Sequence, residues 1–434
     1  MMRTIDLRGR DLTPAELLAA LPRATEARAT AQAVADDIVA DVAARGETAL
    51  REQAERFDGV ADHAVRVPRE HLDDALANLD EDVRLALTEA ITRVRAASAA
   101  QIPAPAVTEL APGATVTQRW QPVSRVGVYV PGGKAVYPSS VIMNVVPAQV
   151  AGVHDVALAS PPQRAFDGRV HPTILAAAAL LGVDEVYAMG GAGAIGALAH
   201  GVPSLGLEPV DVVTGPGNNF VAAAKRAVSG FVGIDAEAGA TEILVVADDT
   251  ADAALVAADL ISQAEHDEQA GAVLVTDSEV LAIAVAGDIA GRAAQTKHAE
   301  RVAAALSGPQ SAIVLVDSPA DAVAVSNAYG PEHLELHIAD AAARAGEFTN
   351  AGALFIGSSS PVSLGDYLAG SNHVLPTGGT SRFAAGLNAS TFLRPQQVIE
   401  YSRDALAEVH EAIVALATAE DLPAHGEAVT ARFV

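Results

Sequence analysis

The chain has 434 residues, half of them apolar, with 28 basic against 54 acidic side chains and no cysteine. Such a length supports two or three domains, and the composition is globular rather than disordered. The negative charge argues against nucleic-acid and anionic-membrane partners, and the missing thiol excludes disulfides, thiolate metal ligands and a cysteine nucleophile.

In chain order, the amino-terminal MMRTIDLRGRDL is polar and carries no apolar signal region. No apolar run is long enough to span a bilayer; ILAAAALLGV (174–183) reads as a buried helix. The expected location is cytoplasmic. Residues 1–105 read as helical, as in DDIVADVAARGETALREQAERF. The Pro-rich segment IPAPAVTELAPGATV then marks a boundary. From about 125 to 247, strands (RVGVYV, DVALAS, EVYAMG, VDVVTG, TEILVV) alternate with helices beginning at PSSVIMNVV, HPTILAAAA, GAIGALAH and NNFVAAAKRAV. That alternation implies a parallel sheet covered by helices on both faces. A helix ending in LISQAEHDE follows, then strands GAVLVT, SAIVLV, LELHI and ALFIG. A Gly/Ser-rich loop region (357–390) and a mostly helical tail (391–434) complete the chain.

Several stretches carry chemistry. GGAGAIG (190–196) contains G-x-G-x-x-G between a strand and a helix, with Asp211 about 20 residues on, as a dinucleotide fingerprint expects. The competing reading is close helix–strand packing. TGPGNN and YVPGGK occupy equivalent strand ends, so a crevice at the carboxyl ends of the strands is expected. In PEHLELHI, Leu334, Leu336 and Ile338 alternate with Glu335 and His337, which reads as a strand with one wet face and a surface His337. Glu332 and His333 at its start are an adjacent carboxylate and imidazole, suited to acid–base work though more often structural. Gln263 and His266 share a helix face by spacing. Together with Asp366 and His425 they would make a borderline-hard donor set for Zn²⁺ or Mn²⁺, but spacing alone cannot assemble residues so far apart.

SQAEHDE, GPEHLEL, SLGDYLAGSNHVLPT and ATAEDLPAHGEAV, with GVYVPGGKAVYPSSVIMN and TGPGNNFVAAAKR, resemble the histidinol dehydrogenase family over essentially the whole chain. The resemblance implies two Rossmann-like parallel-sheet α/β domains of the aldehyde-dehydrogenase-like kind, with small terminal extensions that build a homodimer. The implied divisions are a dimerisation segment at 1–28, a metal-bearing and catalytic domain at 29–120 plus 248–370, an NAD-binding domain at 121–247, and a carboxyl-terminal extension at 371–434. It implies zinc on Gln263, His266 and Asp366, with His425 supplied by the partner subunit. His333 would be the general base and Glu332 would activate water. Thr241, His373 and Glu420 would contact substrate beside the metal ligands and His333, Glu420 again across the dimer. NAD would lie near Tyr129, Gly193 and Asn218.

Two positions depart from the family pattern. Gly193 stands where a Gln that contacts NAD is usual, and Ala240-Thr241 replace Pro-Ser. The G-x-G-x-x-G match is itself a product of the first departure. The implied reaction is a four-electron oxidation of L-histidinol through the aldehyde to L-histidine with two NAD, the last step of histidine biosynthesis. Without cysteine, the aldehyde would be oxidised as its hydrate rather than as a thioester. The alternatives are a related zinc- and NAD-dependent dehydrogenase of another amino alcohol or diol, a zinc hydrolase, and a non-catalytic metabolite-binding protein.

Overall fold

The structure, a computed structural model, describes residues 2–23, 28–132, 135–237 and 239–434. Parts of the expected 1–28 segment and of the YVPGGK turn, namely residues 1, 24–27 and Gly133-Lys134, lie outside these.

Two parallel sheets organise the chain. The five-stranded sheet runs in the order Glu185–Ala188, Asp155–Ser160, Arg125–Tyr129, Val212–Thr214, Gly233–Ile234. The six-stranded sheet runs Arg3–Asp6, Ala312–Leu315, Gly271–Thr276, Glu242–Ala247, His333–His337, Ala353–Ile356. Nearly every central strand residue is buried, because helices cover both faces of each sheet. A separate antiparallel ribbon joins Ala106–Ala111, Ala114–Pro122 and Leu393–Tyr401.

The mixed α/β class with parallel sheets is as expected. Several placements differ. Glu242–Ala247, read as the end of the 125–247 run, pairs instead with Gly271–Thr276 and His333–His337 at the centre of the other sheet. A buried parallel strand carries the same apolar pattern in either sheet, so periodicity does not say which it joins. The helices Arg28–Arg45 and Glu81–Ala100, expected to go with 248–370, pack instead on the helices that cover the two faces of the five-stranded sheet, joining its cores through Val39, Val42, Leu87 and Val94. Residues 3–6, read as helical, form an edge strand in register with residues 312–315. Tail residues 393–401, also read as helical, form a strand of the ribbon.

His333–His337 has no wet face: all five residues are buried. Glu335 is fully buried and His337 is 6% exposed, not a surface residue. The strand lies between two neighbours under the helix Ala253–Ala264, so alternation of polar and apolar residues here marks two covered faces.

Candidate functional site

One cavity of about 830 Å³ lies between the two sheets, within the range of small-molecule and cofactor sites. The five-stranded sheet presents its carboxyl ends to it: Tyr129 ends one strand, Pro161 and Gly190 follow two others, and Pro216 follows a fourth. The six-stranded sheet presents amino ends: Thr241, Gln269 and Glu332 each precede or begin a strand. The expected crevice at carboxyl ends therefore describes only one wall.

Two helix N-termini converge there. Gly191–His200 begins at Gly191, whose N–H donates to Tyr129 Oη at 3.1 Å. Asn219–Val228 is capped by Asn218, whose side-chain oxygen accepts from Phe220 N and Val221 N at 3.0 and 3.2 Å. The positive end of a helix dipole favours an anion such as a pyrophosphate. Gly215 is held close to Tyr129, at φ +120, where a Cβ would collide with the Tyr129 carbonyl. Buried Lys225 ion-pairs with Asp235, which in turn accepts from Gly215 N at 2.8 Å, and so fixes this turn.

The fingerprint reading of 191–196 does not survive as such. Asp211 accepts from Ser124 N and Arg125 N at 2.7 and 3.1 Å and fastens the amino end of the sheet, away from the cavity. Gly196 instead lets the helix approach the backbone of Val39. Gly193 does line the cavity, and the space its side chain would fill is occupied by Gln53 Oε1. Gln53 and the adjacent Phe57 and Asp58 line the same wall, and sequence reasoning missed all three. No motif marks them; only the collision at Gly193 reveals that Gln53 stands in that place.

At the other end, His333 is buried, and its Nδ1 donates to the Glu242 carbonyl at 3.2 Å. That bond places the lone pair on Nε2. Burial pushes His333 below the ordinary histidine value, so the ring is neutral near pH 7. Glu332 accepts from Thr241 Oγ1 and, at 2.9 Å, from Glu242 N. Burial pushes its carboxyl up to about 7 despite these donors. Glu242 lies beneath, also pushed up to about 7 by burial, and is held by Tyr329 and Gly378 N. His373 donates through Nδ1 to the Asp366 carbonyl at 3.0 Å, while its Nε2 meets Ser140 Oγ at 3.0 Å.

The helix carrying Gln263 stops at Ala264, so His266 lies in the turn after it rather than on the helix face. His266 Nδ1 donates to the carbonyls of Ser262 and Gln263 at 3.2 Å, leaving Nε2 as its acceptor atom. His266, Asp366, Glu332, His333, Thr241 and His373 all line the cavity. Gln263 sits behind the wall, its Nε2 donating to Thr241 Oγ1 at 2.7 Å and its buried Oε1 without a partner. Glu420 and His425 are exposed on the carboxyl-terminal helices and do not line this chain's cavity. Among the described residues, the cluster of His, Asp and Glu side chains packed closely enough to hold a cation is a different one: Asp259, Glu335 and His337.

A crevice that pairs two anion-favouring helix ends with a neutral buried base and a carboxyl poised near neutrality has the layout of a dehydrogenase site. The histidinol dehydrogenase family model matches residues 21–433, and the chain belongs to that family, an NAD-dependent class of oxidoreductases. It is 65% identical over 432 residues to histidinol dehydrogenase of Leifsonia xyli subsp. xyli, covering 100% of this chain and 99% of that protein. It is 59% identical to that of Mycolicibacterium smegmatis, covering 100% and 98%. The crystal structure of histidinol dehydrogenase from Elizabethkingia anophelis matches with a TM-score of 0.92 at 31% identity, covering 100% and 98%.

Proposed function

We propose that the protein oxidises L-histidinol through L-histidinal to L-histidine, reducing two NAD⁺ in turn, as the last step of histidine biosynthesis. The observation that carries this reading is the convergence of Thr241, His266, Glu332, His333, Asp366 and His373 in one cavity with the Tyr129, Gly193 and Asn218 wall.

In the first half-reaction, His333 Nε2 takes the hydroxyl proton while the carbinol hydride passes to the nicotinamide, giving aldehyde, NADH and the imidazolium. In the second, the Glu332 carboxylate removes a proton from water as its oxygen bonds to the aldehyde carbon. The resulting hydrate anion, RCH(OH)O⁻, gives its hydride to a second NAD⁺ and becomes the acid, while the proton stays on Glu332. No cysteine is present to form a thioester, which supports the hydrate route. Gln53 supplies, from another helix, a carboxamide where the family carries Gln at position 193.

The residues fit a zinc ion. Among the described residues, Gln263 Oε1 is a buried acceptor without a partner, His266 Nε2 is its ring's acceptor atom, and Asp366 adds a carboxylate. These are the hard-to-borderline donors that Zn²⁺ or Mn²⁺ takes. When bound, the metal orients the substrate's imidazole and amino nitrogens and lets the aldehyde stay in place.

The partner subunit of a homodimer would contribute Glu420 and His425, with Glu420 and His373 contacting substrate. The carboxyl-terminal extension and ribbon expose the apolar side chains Val107, Leu110, Ile399, Leu416 and Leu422, which a second copy would cover in part. No helix among the described residues is long and apolar enough to cross a membrane, which suits a cytoplasmic enzyme.

The test is to count NADH formed per L-histidinol by metal-loaded protein, with other amino alcohols and diols as controls. Two NADH per substrate is the expected result. One NADH, or faster turnover of another alcohol, would replace this reading with that of a simpler dehydrogenase.

A further inference from the structure

Away from the cavity, Asp259 on the helix Ala253–Ala264 meets Glu335 and His337 on the strand His333–His337. None of the three lines the substrate cavity. Side chains at 333, 335 and 337 share one strand face, so this cluster sits further along the same file that begins with His333. Asp259 stands one helical turn before Gln263.

The group is poorly satisfied as it stands. Glu335 is fully buried. Its Oε1 accepts from Val362 N at 2.8 Å, but its Oε2 is buried with no hydrogen bond. His337 Nε2 lies 3.4 Å from that oxygen and 3.7 Å from Asp259 Oδ2. Among the described residues, no Lys or Arg pairs with either carboxylate. A fully buried carboxylate and a half-buried one beside an imidazole are costly unless a cation or a proton joins them.

The spacing favours a cation. Donors bound at about 2.1 Å to a tetrahedral or octahedral ion stand roughly 3 to 3.5 Å apart, close to the separations seen. The donor set is one imidazole nitrogen and two carboxylate oxygens, which suits a first-row divalent ion. We infer that Asp259, Glu335 and His337 form a second divalent-cation site, for Zn²⁺ or Mn²⁺, that fastens the helix bearing Gln263 to the strand bearing His333. Its role is architectural: it holds together the two elements from which the substrate site is built.

The test is metal counting on the full-length protein. Wild type is stripped with chelator, reloaded with Zn²⁺ alone, desalted and assayed by plasma mass spectrometry. Parallel samples carry Asp259→Asn, Glu335→Gln and His266→Ala. Circular dichroism confirms that each variant is folded, and Asp259→Asn, being isosteric and partly exposed, guards against a folding failure of Glu335→Gln. The inference expects two equivalents in wild type and one in each single variant. One equivalent in wild type, lost in His266→Ala and kept in Asp259→Asn and Glu335→Gln, overturns the second site and leaves the proposed zinc ligands intact. One equivalent kept in His266→Ala and lost in Asp259→Asn supports the site inferred here and sinks the substrate-side zinc. No metal in any sample overturns it: the cluster then holds a proton.

Discussion

His333 Nδ1 donates to the carbonyl of Glu242 at 3.2 Å, across the join between two adjacent strands. The sheet itself therefore selects the tautomer of the proposed base. His333→Asn removes the Nε2 acceptor while keeping a group that can donate to that carbonyl. Turnover of L-histidinol is expected to fall about 10²- to 10⁴-fold, the usual worth of a positioned base. NAD⁺ affinity, read by calorimetry, should be unchanged.

Glu332 is expected to matter for only one half-reaction. Glu332→Gln keeps an acceptor for Thr241 but cannot deprotonate water. Oxidation of L-histidinol to the aldehyde should persist, and oxidation of added L-histidinal should drop by about 10²-fold or more. Equal losses in both assays would remove Glu332 from its proposed role.

The two half-reactions should also part company with pH. Glu332 works as the carboxylate, and its raised value of about 7 means the working form is lost as pH falls through neutrality. His333 works as the neutral ring, and its lowered value keeps it neutral to more acid pH. At about pH 6, aldehyde oxidation should be depressed roughly tenfold while alcohol oxidation is largely retained. Single-turnover NADH formation from each substrate across pH would show it.

Gln53 and Gly193 make a coupled pair. Gln53→Ala is expected to raise KM for NAD⁺ several-fold with KM for L-histidinol little changed. Gly193→Gln alone should push the Gln53 carboxamide aside rather than unfold the helix, because its Cβ meets Gln53 Oε1, the end of a flexible side chain, and so should weaken NAD⁺ binding. Combining the two substitutions should recover much of both losses, a coupling of about 0.5–3 kcal/mol between contacting residues. Thermal melts and NAD⁺ titrations of the three variants close the cycle.

Shared sites leave a signature in mixtures. His333→Asn and His425→Ala should each be inactive alone. Unfolded together and refolded, they should regain about a quarter of wild-type activity, since half the random dimers carry one intact site of two. No recovery would mean that His425 does not act across the dimer.

Much of this molecule was legible in advance where periodicity and burial agree. The strands Arg125–Tyr129, Asp155–Ser160 and Gly271–Thr276 are runs of apolar residues between turn signals, and they form where expected. The ribbon was not legible, because Ala106–Ala111 and Leu393–Tyr401 are exposed and mix polar with apolar residues. Arg3–Asp6 is too short to show a period. Glu335 and His337 misled because a two-residue period reports only that the faces differ, not that one meets water. The family motifs pointed to the residues that line the cavity from the second sheet. Gln53 was invisible, since its importance lies in a neighbour that lacks a side chain.

The pairing of Arg3–Asp6 with Ala312–Leu315 has a consequence for biogenesis. Arg3–Asp6 leaves the ribosome roughly three hundred residues before its neighbour. The five-stranded sheet, by contrast, closes wholly within residues 125–234. A nascent chain can thus complete one half while Arg3–Asp6 dangles. Premature termination anywhere before residue 312 leaves Arg3–Asp6 an unpaired strand of the kind that seeds aggregation.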